Sequence, residues 1–229
     1  MLMLAGFSAQ AVAQAYCGER IFDGEHKNEV AGYVDGGSNI TTGGFGGLAV
    51  SYTRHLTSRW HVRGDAQFQF GKQLFSIDAQ AGYTLPLKYG YISFDAKAMY
   101  SRYHRWGFNE TVMNLAATWE SPYVDIRLGG SYIHFQHTRD GYSEPITLTF
   151  GIGANVRKRS NPWNLGIFFR NYDEFYYENW NINWGLRFYA PLPLGMRLFG
   201  ELNVRPAGSI SQLASKYETS LKLGLKYKW

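Results

Sequence analysis

The sequence predicts an all-β chain, a transmembrane antiparallel up-and-down β-barrel of about 12 strands. Three observations lead there. Apolar and polar residues alternate with period two from near Val30 to Trp229, aromatic residues recur at the ends of the apolar faces, and short turns alternate with mostly longer, more aromatic or polar connections.

The run from Trp60 illustrates the alternation. Trp60, Val62, Gly64, Ala66, Phe68 and Phe70 fall on one face, and His61, Arg63, Asp65, Gln67 and Gln69 on the other. Successive side chains of a strand point to opposite faces, so this segment has one greasy and one wet side. The next run sets Phe75, Ile77, Ala79, Ala81, Tyr83 and Leu85 against Ser76, Asp78, Gln80, Gly82 and Thr84. Further runs cover Leu48–Leu56, Ile92–Tyr100, Met113–Trp119, Val124–Tyr132, Ile146–Val156, Trp163–Phe169, Trp180–Phe188, Met196–Val204 and Tyr217–Trp229, with a weaker Gly-rich run at Val30–Gly36 opening the set.

The connections form two classes. Leu56–Arg59, Pro86–Tyr89, Glu120–Pro122, Arg157–Pro162 and Ala190–Leu194 are short and turn-like; Ser38–Gly44, Arg102–Asn109, His137–Ser143, Tyr172–Glu178 and Ala207–Ser215 are mostly longer. A membrane barrel has this asymmetry between its two ends, and an even strand number puts both termini at the short-turn end.

Composition removes other classes. Of 229 residues, 45% are hydrophobic and 17% aromatic, yet only 18% are charged. After the first residues there is no run of about 18 apolar residues, which excludes a transmembrane helix of ordinary length. The aromatic and glycine content excludes disorder, which needs low hydrophobicity and high net charge. A net charge of +5, scattered without a basic stripe, argues against a nucleic-acid partner. Cys17 stands alone, so neither a disulfide framework nor a cysteine-rich metal site is available. His134 and His137 fall on opposite faces of one strand, and no metal or cofactor is expected. A soluble β-sandwich would carry charge on its wet face. Here that face is rich in Gly, Ser, Thr, Asn and Gln, while Trp60, Tyr83, Tyr100, Trp119, Tyr132, Trp163, Trp180, Tyr227 and Trp229 sit at the ends of the apolar one. Trp and Tyr favour the boundary between water and lipid.

At the N-terminus, Met1–Phe7 is apolar and Ala11, Ala13 and Ala15 follow at alternate positions, which reads as a signal peptide over residues 1–15 preceding a barrel over 16–229. The usual charged stretch before such a segment is missing, so the signal is expected to start upstream. At the other end, Lys222, Gly224, Tyr227 and Trp229 resemble the C-terminal assembly signal of bacterial outer-membrane β-barrel proteins: a polar residue, glycine two positions on, an aromatic three later and a terminal aromatic two further. The resemblance implies an outer-membrane location with periplasmic termini, contact with outer-membrane lipid, and recognition by the outer-membrane assembly machinery.

If the apolar face meets lipid, the inward charges follow by parity. The basic ones are Arg63, Lys97, Arg127, Arg170, Arg187, Arg197, Arg205, Lys222 and Lys226, and the acidic ones Asp65, Asp78, Asp95, Asp125, Glu201 and Glu218. The basic excess predicts a lumen that mildly favours anions, narrowed by Tyr91, Phe168, Tyr189 and Phe199. Three readings stand: a narrow passive channel for small polar or anionic solutes, its charges setting selectivity; a plugged barrel serving as a structural or accessory subunit beside other outer-membrane proteins; and a lipid-modifying enzyme. The third finds His134 pointing outward near a rim with Glu144 at equal parity, whereas Ser143 has the opposite parity, so no catalytic residue is assigned.

Overall fold

The computed structural model describes residues 27–229 except 40–42, 72, 105–106, 138–139, 144–145, 159–160, 162, 174–175, 178–181 and 207–216. The expected signal peptide, Cys17, Trp180, Glu144 and the Ala207–Ser215 connection therefore lie outside the described residues, as does the side chain of Arg205.

The chain is a meander of strands: β1 (Asn28–Asn39), β2 (Gly43–His55), β3 (Trp60–Gln69), β4 (Leu74–Leu87), β5 (Gly90–Tyr103), β6 (Phe108–Glu120), β7 (Val124–His137), β8 (Asp140–Ser143), β9 (Thr147–Asn155), β10 (Asn164–Arg170), β11 (Tyr172–Asp173), β12 (Tyr176–Tyr177), β13 (Asn183–Pro191), β14 (Arg197–Pro206) and β15 (Tyr217–Lys228). Consecutive long strands pair antiparallel, β6 joins β7, and β15 returns to β1, so twelve strands close a ring from which β8, β11 and β12 are left out. All twelve match the runs expected from the sequence. Closure is obligatory in hydrocarbon, where an unpaired backbone N–H or C=O costs several kcal/mol.

The seam is formed by the two ends of the chain. Registers run from Glu29 opposite Lys228 to Asn39 opposite Glu218, and Asn28 and Trp229 exchange two backbone hydrogen bonds at 3.0 Å. The five short connections lie at this same end. In one of them, Gly90 adopts φ +110°, which residues with a side chain rarely adopt, and a Cβ there would run into the Glu120 carbonyl. Two segments expected to be loops contain strands: β8 folds back on the end of β7, and β11 and β12 form a two-residue hairpin.

Every long strand alternates between outward apolar and inward residues. Leu115, Leu128, Met113 and Val34 are among the most exposed, at 57–69%, whereas the inward positions are buried. Aromatics gather outside near the seam end: Trp60 lies 4.8 Å from Tyr83, and Trp229 lies 5.8 Å from Tyr227 and 6.3 Å from Tyr52 by ring centroids. Such a belt suits the boundary of a membrane.

Candidate functional site: the charged interior

The interior is polar and densely paired. Asp65 on β3 and Asp78 on β4 are directly opposed across the ladder. Arg63 donates through Nε to both Asp65 oxygens at 2.8 and 2.9 Å, and Lys97 Nζ reaches Asp78 at 2.9 Å. Arg127 on β7 reaches Asp95 at 3.3 Å and donates to Asn114 Oδ1 at 3.0 Å. Asn114 in turn donates to the hydroxyls of Ser131 and Thr149 at 2.8 and 3.2 Å. On the other side, Arg187 pairs with Asp125 and Arg170 with Glu201. Near the seam, Lys226 and Lys228 hold Glu29 at 3.0 and 3.3 Å. Lys222 rests 4.7 Å above the Tyr33 ring, and Arg197 stands opposite Lys226 in the β14–β15 ladder.

Arg63, Asp65, Asp78, Asp95, Lys97, Asp125, Arg127, Arg170, Arg187, Glu201, Lys222 and Lys226, all of inward parity, turn into the barrel in the contacts above. The inward set is nevertheless larger than the sequence suggested. Glu29, Asp35, Glu110 and Glu120 also point inward and are buried at 1–9%, and Lys228 joins the basic side chains. This corrects the expected basic excess: cations and carboxylates are close to balance. What distinguishes them is place. Strands β1–β6 carry Glu29, Asp35, Asp65, Asp78, Asp95, Glu110 and Glu120 against Arg63 and Lys97, while β7–β15 carry Arg127, Arg170, Arg187, Arg197, Lys222, Lys226 and Lys228 against Asp125, Glu201 and Glu218. In a ring of twelve these are two half-walls of six strands each.

An apolar cluster interrupts the polar lining. Tyr33, Ala49, Met99, Val112 and Ile133 pack together, with Phe135, Tyr172 and Phe199 against them. Met99 and Ala49 stand on strands three apart in the ring, so the cluster bridges the lumen rather than following one strand. Tyr172, at the start of the β11–β12 hairpin, turns back inside: its ring lies 5.0 Å from the Arg127 guanidinium and 5.8 Å from that of Arg170. Of the bulky aromatics expected inside, Tyr91, Phe168 and Tyr189 are buried, and Tyr33 meets Phe199 edge-on at 6.2 Å.

At the seam-end mouth His55 and His61 lie 6.0 Å apart, and His61 Nε2 is 3.8 Å from Asp95. Of the C-terminal quartet, Lys222 and Gly224 face inward while Tyr227 and Trp229 face outward. Gly224 has a packing reason: a Cβ there would lie 2.6 Å from both the Gly32 carbonyl oxygen and Tyr33 Cβ, and would run into the Phe199 ring.

At the opposite rim one expectation is overturned. His134 and Ser143 are ladder partners in the β7–β8 hairpin, so they share a face despite their opposite parity along the chain. The Ser143 hydroxyl lies 2.7 Å from His134 Nδ1 and accepts from the Tyr132 hydroxyl at 2.9 Å.

No family model matches the sequence, and no curated protein does. Solved structures do match. The KdgM porin in complex with disordered oligogalacturonate is 10% identical, with 88% of this chain and 99% of that chain covered at a TM-score of 0.56. The NanC porin is also 10% identical, over 88% and 100% of the two chains, with a TM-score of 0.56. Omp33 from Acinetobacter baumannii is 10% identical over 89% and 98%, with a TM-score of 0.52. At these identities the likeness shows the fold alone: this chain, a closed barrel of twelve strands, has the fold of bacterial outer-membrane β-barrels.

Proposed function

We propose that this chain is an outer-membrane protein forming a narrow passive channel for small polar or anionic solutes, with both termini periplasmic, residues 1–15 as export signal and 16–229 as the barrel. The observation that carries the reading is the half-wall of basic side chains, Arg127, Arg170, Arg187, Arg197, Lys222, Lys226 and Lys228, aimed into the interior of a closed barrel. Charged linings set selectivity in channels. A lumen of 12 strands is wider than that of the filled 8-stranded barrels and far narrower than in porins of 16–18 strands. KdgM, of like fold, has been solved with an oligogalacturonate, an anionic sugar chain. The belt near Trp60 and Trp229 suits outer-membrane lipid, and the C-terminal quartet suits the assembly machinery.

One observation favours a second reading. The apolar cluster of Tyr33, Met99, Val112 and Ile133 fits a plugged barrel that serves as an accessory subunit of an outer-membrane complex. A lipid-modifying enzyme gains a Ser143–His134 pair of the kind used in nucleophilic catalysis. The third group that would orient the histidine, Glu144 in the sequence reading, lies outside the described residues. Planar-bilayer recording of the purified protein separates the first two readings. Discrete conductance steps support the channel; silence at every voltage, with a stoichiometric partner co-purifying from native membranes, supports the subunit.

A further inference from the structure

The rim opposite the seam holds a group of side chains that a channel would not use. The Tyr132 hydroxyl donates to Ser143 Oγ at 2.9 Å, which leaves the serine's own proton free to point at His134 Nδ1, 2.7 Å away. Ser143 is exposed and His134 half-buried, and both face outward, since Ile133 and Phe135 on either side of His134 turn to the apolar cluster of the interior. The hairpin has room for the imidazole because position 141 is glycine: a Cβ there would lie 3.1 Å from His134 Cε1. A hydroxyl aimed at an imidazole nitrogen is the arrangement that activates a serine as a nucleophile.

Two further observations say what this serine would meet. The first is its level. Across the β5–β6–β7 ladders His134 stands opposite Thr111, and Thr111 opposite Tyr100, an outward aromatic near the rim end of β5. Outward Tyr100 and Tyr132 mark a boundary between lipid and water, the level at which the ester bonds of membrane lipids lie. The second is a groove of about 760 Å³ in the apolar outward wall beside it, within the range of about 300–1,000 Å³ usual for small-molecule sites. Ala79 and Ala81 on β4 and Ala96 and Ala98 on β5 form its floor, and the far larger Met113 and Leu115 stand out beside them. Ala79, Ala98, Met113 and Tyr132 are successive partners across four strands, so one ladder row leads from the floor to the tyrosine that touches Ser143.

We propose that Ser143 and His134 are the nucleophile and base of a site that hydrolyses acyl esters of membrane lipids, with one acyl chain lying in the alanine groove. Ser143 Oγ attacks the ester carbonyl carbon and passes its proton to His134 Nδ1, while the Tyr132 hydroxyl donates to the carbonyl oxygen as it becomes negative. The bond to the lipid's alcohol oxygen then breaks, and that oxygen takes the proton from His134. A water molecule, deprotonated by His134, attacks the acyl-serine, releases the chain as a fatty acid and lets the proton return to Ser143 Oγ. The site lies on the outward wall, so it goes beyond the channel reading and does not depend on whether the interior conducts.

The test places the refolded mature chain in vesicles of phosphatidylethanolamine and phosphatidylglycerol containing lipid A, with the acyl chains of one lipid radiolabelled at a time, and measures free fatty acid. The expected result is steady release that falls by about a hundredfold or more in His134→Ala and is lost in Ser143→Ala. Ala98→Leu, which fills the groove, should slow release of long chains far more than hydrolysis of the short ester p-nitrophenyl acetate. An alkyl fluorophosphonate, which reacts with activated serines, should label the wild type at Ser143 and spare His134→Ala; the heat-sensitive band shift in electrophoresis shows that each variant is folded. Release from the labelled phospholipids assigns a glycerophospholipid as substrate, and release from labelled lipid A alone assigns the glycolipid. Folded wild-type protein that releases fatty acid from neither, or release that survives Ser143→Ala, overturns the proposal.

Discussion

Asp65 and Asp78 face each other across the β3–β4 ladder inside the barrel, and each is held by its own cation. Like charges opposed on neighbouring strands are destabilising. Arg63 reaches Asp65 from two residues away on β3, and Lys97 reaches Asp78 from β5. Two aspartates are tolerated there because two cations are delivered to the same level of the lumen.

Removing one of those cations should therefore cost more than an ordinary lumen substitution. Lys97→Met leaves the fully buried Asp78 carboxylate facing Asp65, and breaking a buried pair by removing one partner costs about 3–5 kcal/mol. Urea unfolding in lipid vesicles measures it, and adding Asp78→Asn should restore most of the loss. A double variant no more stable than Lys97→Met would refute the pairing.

The orientation of the strands predicts a contrast between faces. Leu115, 69% exposed near the middle of β6, points to lipid, so Leu115→Arg should destabilise the barrel by about 2–4 kcal/mol. Leu194, 84% exposed in the turn after β13, lies outside the spanning strands, and Leu194→Arg should change stability by less than about 1 kcal/mol. Equal effects in vesicle unfolding would contradict the assignment of faces.

Gly224 should tolerate no side chain. A Cβ would collide with the Gly32 carbonyl oxygen and Tyr33 Cβ as well as the Phe199 ring. Gly224→Ala is expected to lower the fraction that refolds, read as the heat-sensitive band shift in electrophoresis. Adding Phe199→Ala should not restore it, because the backbone contact remains. Full recovery in the double variant would place the constraint in the ring alone.

The basic half-wall should govern ion preference. Arg127→Glu with Arg187→Glu replaces two inward cations by carboxylates, so the reversal potential in a salt gradient should move toward cation preference. An unmoved potential would mean that these side chains do not line the conducting path.

The fold was largely legible because each of the twelve strands is half greasy, and period two survives along almost the whole chain. Legibility failed where that signal fades. Strand ends are polar on both faces, so Glu29, Glu110 and Glu120 fell outside the expected runs although β1 and β6 extend to include them. Parity also holds only along a continuous strand. The reversal between His137 and Asp140 resets it and brings Ser143 beside His134. The apolar cluster was hidden for another reason. Tyr33, Met99 and Ile133 each look like an isolated exception on a wet face, and only closure of the ring brings them together.

Tyr172 lies inside the barrel between Arg127 and Arg170, across the path of the proposed channel. Single-channel recording of the wild-type protein beside Tyr172→Ala should give small discrete conductance steps for the wild type and larger ones for Tyr172→Ala. Bilayers that stay silent with both proteins would show that the interior is no passage.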